Sequence, residues 1–83
     1  MNKKPLIIKN YSKLIAKKEY ILLYQNKNRY IISYKFISAI FISIKVKISL
    51  SSLALLANKF PIFLIDANGN ITTKITKVEN ERT

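Results

Sequence analysis

Apolar residues are spaced at period two in the first half of this 83-residue chain and at the period of a helix in one segment only. Strict alternation at residues 44–48, with β-branched and aromatic residues elsewhere, is typical of strands. The helical period begins after Ser49, whose hydroxyl can cap a helix, and Pro61 prevents its continuation. The spacing therefore predicts one amphipathic helix at about residues 49–59. Its core-facing stripe is expected to be Leu50, Leu53, Ala54 and Ala57, widened by Leu55 and Leu56.

Short apolar segments on both sides of this helix are predicted to be strands. The clearest hairpins turn at the polar residues 26–28 and at Asn68-Gly69. The expected fold class is mainly β (α+β), a small β-sandwich-like domain with one helix and a thin core. The domain should span residues 1–78, with residues 79–83 as a tail or the start of a linker. The predicted strands cover residues 6–9, 13–16, 19–25, 29–34, 38–43, 44–48, 61–67 and 70–78.

The residue types that most catalytic sites need are missing. Without Cys or His the chain cannot form a thiolate or imidazole zinc site, a Cys nucleophile or a Ser-His-acid triad. Of its four acidic residues, Glu79 and Glu81 lie in the polar tail. Asp66 precedes the Asn68-Gly69 turn and is interpreted as a cap on backbone amides rather than a metal ligand. We expect no catalysis and no cofactor in this chain alone.

The net charge of +11 has two interpretations of equal weight. Lysines neutralise phosphates in nucleic-acid complexes, but they also form a solvated surface that keeps a thin-cored domain soluble. Arg29 and Arg82 are the only arginines. Any DNA contact should therefore go to the backbone, since guanine reading relies on Arg. The longest charge-free segments, residues 36–44 and 48–58, are too short to span a membrane, so we expect a cytoplasmic protein without a membrane partner.

The predicted hairpin at residues 19–34 is apolar on both of its faces. A thin core can cover only one of them, which predicts that a second sheet or another subunit covers the other. Stacking of the tyrosines on bases in a basic groove is the alternative. The residues assigned to a dimer interface are Tyr20, Leu22, Tyr24, Tyr30 and Ile32.

A family resemblance rests on three segments in this order: LIIKNYSKL (residues 6–14), ISYKFISAIFIS (residues 32–43) and VKISLSSLALLANKFPIFLIDANGN (residues 46–70). They resemble the N-terminal domain of the CRISPR-associated integrase, the first-numbered Cas protein, which inserts new spacers into CRISPR arrays. The resemblance covers residues 5–77. Where the family often has Pro, this chain has Ser33, and where it has a turn Gly, Asn10 would have to adopt the positive φ. The matching positions are Ile32, Ile37, Ile40, Ile42, Ile48, Ser49, Leu53, Leu56, Pro61, Ile62, Asp66 and Gly69.

The resemblance implies a β-sandwich-like domain with one small helix, whose face pairs with the same domain of a second subunit in a homodimer. It further implies that the family's catalytic and metal-binding residues lie in a larger helical C-terminal domain, absent from this chain. The full-length parent would be a DNA endonuclease and integrase that uses Mg or Mn. Its partners would be double-stranded DNA, held through the backbone, and the second-numbered CRISPR-associated protein.

Six residues are candidates for contact with the DNA backbone. In some members of the family a tyrosine near the position of Tyr11 braces the end of the DNA duplex. For Lys45 and Lys47 the alternative is a solvated face that protects an edge strand against aggregation. Two other functions stay open: a stand-alone basic protein that binds nucleic acid without sequence preference, and a decoy that binds a full-length integrase. The candidates are Tyr11, Lys17, Lys18, Lys35, Lys45 and Lys47.

Overall fold

Two four-stranded sheets and one helix make up the computed structural model, which describes residues 2–9 and 11–75. A 3-10 turn at Tyr34–Phe36 joins the fourth and fifth strands. This architecture of strands with a single helix confirms the mainly-β fold class. In chain order the elements are β1 Lys4–Ile8, β2 Ser12–Ala16, β3 Tyr20–Gln25, β4 Asn28–Ser33, β5 Ile37–Ser43, β6 Val46–Ile48, α1 Leu50–Lys59, β7 Ile62–Ile65 and β8 Ile71–Ile75.

The strands are divided between sheet A, with the order β1-β5-β7-β8, and sheet B, with the order β4-β3-β2-β6. In sheet A, β1 and β7 run parallel to β5, and β8 runs antiparallel to β7. In sheet B, β3 pairs antiparallel with β2 and β4, while β6 runs parallel to β2. Both sheets therefore combine strands from distant parts of the sequence, and each has a face turned to the core and a face turned outward.

One cluster of aliphatic side chains fills the space between the sheets. It combines the inner faces of both sheets with one side of α1, and isoleucine dominates it because β-branched side chains pack well on a pleated surface. Within the described residues there is a single core cluster, as the sequence predicts. Its members are Ile8, Leu14, Ile21, Leu23, Ile37, Ile40, Ile42, Leu56 and Ile62.

The helix begins and ends as predicted, and it buries part of the expected stripe. The Ser52 N–H donates to Ser49 Oγ at 3.1 Å, which confirms the cap, and the Phe60 N–H donates to the Leu56 carbonyl at 2.8 Å just before Pro61. Ser52 and Leu56 are the buried residues of α1. The expected stripe is wrong at two positions: Leu50 is 84% exposed and Ala54 is exposed, while Leu53 and Ala57 pack against the core.

The orientation of the helix about its axis follows from the point at which the β2–β6 ladder of sheet B ends. Strand β6 pairs with β2 only as far as Leu14, so the N–H of Ala16 lies beyond that ladder. It donates instead to Ser52 Oγ at 3.1 Å. This bond turns Ser52 toward β2 and places Leu56, one turn later on the same face, in the core. A backbone donor that would otherwise be unpaired therefore sets the orientation of α1.

The turns correct one strand boundary and confirm the two hairpins. Ile44 begins the strand predicted at residues 44–48, but it is 72% exposed because Ile44 and Lys45 form the turn between β5 and β6. In the β3–β4 turn, Asn26 and Lys27 have φ of 52° and 68°, the left-handed pair that fits the twist of a two-residue hairpin. In the β7–β8 turn, Gly69 has φ of 86°.

Some predictions fall on residues that the structure does not describe. The conformation expected of Asn10, the end of the return strand at residues 76–78 and the tail at residues 79–83 lie outside the described residues. Among residues 2–9 and 11–75, no helix is long and apolar enough to cross a membrane.

Candidate interaction surfaces

Asp66 caps the β7–β8 turn, as the sequence predicts. Its Oδ1 accepts hydrogen bonds from the N–H groups of Asn68 and Asn70, both at 2.9 Å, and its carbonyl accepts from Gly69 at 3.0 Å. A carboxylate oxygen that accepts two backbone amides fixes the turn. Within the described ranges, no group of three or more acidic, His or Cys side chains could hold a metal ion.

The predicted DNA-contact residues lie at both ends of sheet B. At one end, Lys45 Nζ lies 5.3 Å from the ring centroid of Tyr11, which is 76% exposed. These two residues immediately precede β6 and β2, which start side by side. Lys17 and Lys18 follow the other end of β2, about 17 Å away for five residues of strand. The structure therefore separates the six candidates instead of bringing them together.

Lys17 and Lys18 line a basic cleft against the helix. The cleft has a volume of about 490 Å³, and its other walls include Asn58 and Lys59 at the end of α1. The sequence prediction did not include Lys59, a basic residue in the last turn of α1, where a cation suits the helix dipole. Docking of α1 against β2 brings Lys59 to this cleft, and no local sequence pattern gives that contact.

Tyr34 contacts two of the residues that line the basic cleft, Lys17 and Lys59. Its hydroxyl donates to the carbonyl of Lys17, its ring packs edge-on against Phe60 at 5.5 Å, and Lys59 Nζ lies 5.5 Å from its centroid. Burial raises the pKa of Tyr34 above its ordinary value of 10.0, so the hydroxyl keeps its proton and remains a donor. Lys35, the next residue, lies at this same end of sheet B.

A row of cations crosses the outer face of sheet B. The strand register places Lys47 of β6 beside Lys13 of β2, Lys13 beside Tyr24 of β3, and Tyr24 beside Arg29 of β4. Paired residues share a face, so these four side chains form one line about 14 Å long, here called the basic row. The sequence prediction included only Lys47 from this row as a DNA contact, since the others come together only when the register is known.

The five predicted dimer residues divide between the two faces of sheet B. Tyr20, Leu22 and Tyr24 alternate on the outer face, where Leu22 pairs with Ile31 and Tyr24 belongs to the basic row. Tyr30 and Ile32 lie on the inner face opposite Leu23 and Ile21, and Ile32 packs against the core. One flat contact cannot include all five, and their assignment to a dimer interface stays a prediction.

An apolar patch, which the sequence prediction missed, covers the outer face of sheet A. The register aligns Ile7 of β1, Phe41 of β5 and Phe63 of β7 in one row, with Ile71 of β8 in the next. Phe41 and Phe63 stack with their centroids 4.8 Å apart, while Ile7 and Ile71 are 52% and 56% exposed. We call Ile7, Phe41, Phe63 and Ile71 the apolar patch. Apolar residues at alternate positions of β5 and β7 were the available signal, but the sequence does not show which of these positions face outward.

Comparison with known proteins gives no match by sequence. No protein-family model matches the chain, and no curated protein matches it. Solved structures do match. The Cas1 protein TM1797 from Thermotoga maritima matches 95% of this chain with a TM-score of 0.78 at 18% identity, and the match covers 25% of that protein.

Two assemblies contain the same fold. A partial Cas6-RT-Cas1–Cas2 complex matches 93% of this chain with a TM-score of 0.76 at 14% identity, over 24% of the matched chain. A complex of TtCas1 with DNA matches 96% with a TM-score of 0.71 at 12% identity, over 28% of its chain. The chain thus spans about a quarter of the length of these structures, and at such identities the likeness concerns the fold. That fold is the N-terminal domain of Cas1 structures.

Proposed function

We propose that this chain acts as the non-catalytic N-terminal domain of a Cas1-like integrase, where it joins subunits in a homodimer and contacts the DNA backbone. The observation that supports this is the extent of the match: almost the whole chain corresponds to about a quarter of a Cas1 chain. The matched structures include complexes with Cas2 and with DNA, so these are the partners we propose for the assembled protein.

Catalysis belongs outside the described residues in this proposal. The parent activity would be that of a DNA endonuclease and integrase that uses Mg or Mn, and such an ion needs several converging carboxylates. The described residues do not fit that site, because no acidic cluster is present among them and Asp66 accepts two amide hydrogen bonds. We assign the domain a role in assembly and in holding DNA.

The basic row is the surface we propose for DNA backbone contact. It presents Lys13, Lys47 and Arg29 on one exposed line with Tyr24 between them. Amines on flexible stems suit phosphates as point charges and carry no base preference. Tyr11 with Lys45, and the lysines of the basic cleft, lie at the two ends of the same sheet and could extend the contact along a duplex.

A cleavage assay tests the non-catalytic assignment. The purified 83-residue chain is incubated with splayed duplex DNA and Mg²⁺ or Mn²⁺, and we expect the DNA to bind and to remain uncut. The matched variant is Asp66→Asn, which keeps the side-chain oxygen that accepts hydrogen bonds from the turn. Metal-dependent cleavage by the native chain that disappears in Asp66→Asn would overturn the proposal, and binding without cleavage supports it.

A further inference from the structure

The basic cleft concentrates positive charge in a concave site between the end of β2 and the end of α1. Lys17 and Lys18 form one wall and Lys59 lies in the other, and of the described residues that line the cleft none is acidic. Glu19 follows Lys18 in the chain but is not a lining residue. The C-terminus of a helix carries about half a negative charge, which three ammonium groups exceed. The cleft of about 490 Å³ therefore attracts an anion.

Tyr34 fixes the position of two of the three lysines before any ligand binds. Its hydroxyl donates to the carbonyl of Lys17, and Lys59 Nζ lies 5.5 Å from its ring centroid. The N–H of Lys17 donates to the carbonyl of Tyr20 at 2.9 Å, so both backbone groups of Lys17 are hydrogen-bonded. Groups that are already held in place lose less conformational freedom on binding. An anion between the lysines also relieves the repulsion among their amines.

The number of donors in the basic cleft selects the kind of anion. A carboxylate and an internal phosphodiester each carry one charge, whereas a terminal phosphate carries about −1.5 to −2 at neutral pH and has three acceptor oxygens. The three lysines and the amide of Asn58, which lines the cleft beside Lys59, supply donors for all three oxygens. Lysine amines act as point charges on flexible stems and adjust to a tetrahedral group. The cleft therefore fits a phosphomonoester best.

The basic cleft lies within reach of a DNA strand that contacts the basic row. Lys13 of the basic row is on β2 and Lys17 follows the same strand four residues later, about 14 Å away at the rise of a strand. An internal phosphate is flanked by sugars on both sides and lies on the convex surface of a duplex. A terminal phosphate projects from the end of its strand, so it can enter a concave site.

We propose that the basic cleft binds the terminal phosphate at the 5′ end of a DNA strand that lies on the basic row. This inference rests on the proposed DNA contact and adds to it a preference for phosphorylated ends. The 5′ end is the one that ordinarily carries a phosphate, since the 3′ end is a hydroxyl. Lys17, Lys18 and Lys59 contact the phosphate oxygens, while Tyr34 acts only through Lys17 and Lys59.

Fluorescence anisotropy of the 83-residue chain with an internally labelled short duplex tests this preference. The duplex is prepared with a phosphate or with a hydroxyl at its 5′ ends. We expect the native chain to bind the phosphorylated duplex about fivefold more tightly, and the double variant Lys18→Gln, Lys59→Gln to bind both duplexes equally. The matched control Lys13→Gln, Lys47→Gln removes the same charge from the basic row. It should weaken binding of both duplexes and leave their ratio unchanged.

The outcomes separate this inference from the proposed function. If the native chain binds both duplexes equally and the basic-row variant binds both more weakly, the inference is wrong while the proposed DNA contact survives. If the preference is lost in Lys13→Gln, Lys47→Gln and kept in Lys18→Gln, Lys59→Gln, the phosphate lies outside the basic cleft and the inference is again wrong. A chain that binds neither duplex overturns both the inference and the DNA contact.

Competition by inorganic phosphate distinguishes a DNA end from free phosphate as the ligand. A DNA end is held both in the basic cleft and on the basic row, so its two contacts reinforce each other. We therefore expect inorganic phosphate to displace the phosphorylated duplex only at about a hundredfold or more above the dissociation constant of that duplex. Sodium chloride at equal ionic strength is the control. Displacement by phosphate at a concentration similar to that constant would make free phosphate the ligand and overturn the inference.

Discussion

Tyr34 contacts residues that line the basic cleft, although its own side chain is not among the lining residues. It donates to the Lys17 carbonyl, packs against Phe60 and lies under the amine of Lys59, so it links the β2–β3 turn to the end of α1. Burial raises its pKa, since the apolar surroundings disfavour the phenolate. Tyr34 is therefore a positioning residue for the basic cleft.

Replacing Tyr34 with Phe removes the hydrogen bond and keeps the ring. We expect Tyr34→Phe to lower the free energy of unfolding by at most about 1 kcal/mol below pH 9. Because the folded pKa of Tyr34 lies above its unfolded value of 10.0, the unfolded chain loses this proton first as pH rises, and the tyrosine's contribution is lost above pH 10. Urea unfolding of both proteins at several pH values should show the difference shrinking there. A difference that grows with pH would contradict this role.

Local residue roles were predictable, and those that depend on register were not. The caps by Ser49 and Asp66 were predicted from the sequence because each bonds to backbone within four residues. Lys13 and Arg29 join one row only through pairings across three neighbouring strand pairs. Periodicity shows that they face outward, but it does not give which residues lie beside them.

At the scale of the element, α1 shows which features of a helix can be predicted from the spacing of apolar residues and which cannot. The bounds of the helix follow from its cap and from Pro61, but apolar residues surround much of its circumference, so several faces are equally good candidates for burial. The bond from Ala16 to Ser52 selects among them. Ile44 was assigned to a strand for a related reason. The alternation of apolar residues includes Ile44, but the chain turns there because β5 and β6 belong to different sheets, which the alternation does not show.

Two leucine truncations on α1 compare a buried position of the expected stripe with an exposed one. Leu56 is fully buried, so Leu56→Ala should lower the free energy of unfolding by about 2–4 kcal/mol through lost burial and a cavity. Leu50 is 84% exposed, so Leu50→Ala should change it by less than about 0.5 kcal/mol. Urea denaturation followed by circular dichroism measures both. Similar costs for the two variants would mean that the helix is rotated from this position.

At the scale of the whole molecule, the two sheets present different outer faces. The outer face of sheet B carries the basic row beside an apolar row of Ile15, Leu22 and Ile31. The outer face of sheet A centres on the stacked Phe41 and Phe63, with the ammonium of Lys74 over the Phe63 ring. We infer that the basic row is the part of this surface that contacts DNA.

The salt dependence of DNA binding tests the basic row. Each phosphate contact contributes about 0.9 to the slope of log affinity against log salt concentration, so the double variant Lys13→Gln, Lys47→Gln should reduce the slope by about 2. The control Lys4→Gln, Lys9→Gln removes the same charge from β1 and its exit and should change the slope by much less. Fluorescence anisotropy with a labelled duplex gives both slopes. Equal reductions of the slope in the two double variants would mean that DNA affinity depends on the total charge of the chain and not on the basic row.

The mass of the native chain in solution tests the assembly role most directly. The chain weighs 9.6 kDa, and sedimentation equilibrium should show a concentration-dependent shift to twice that mass in the micromolar range. The shift should persist at high salt, because salt screens the repulsion between two chains that each carry +11. A mass of 9.6 kDa at every concentration and salt would contradict a role in joining subunits.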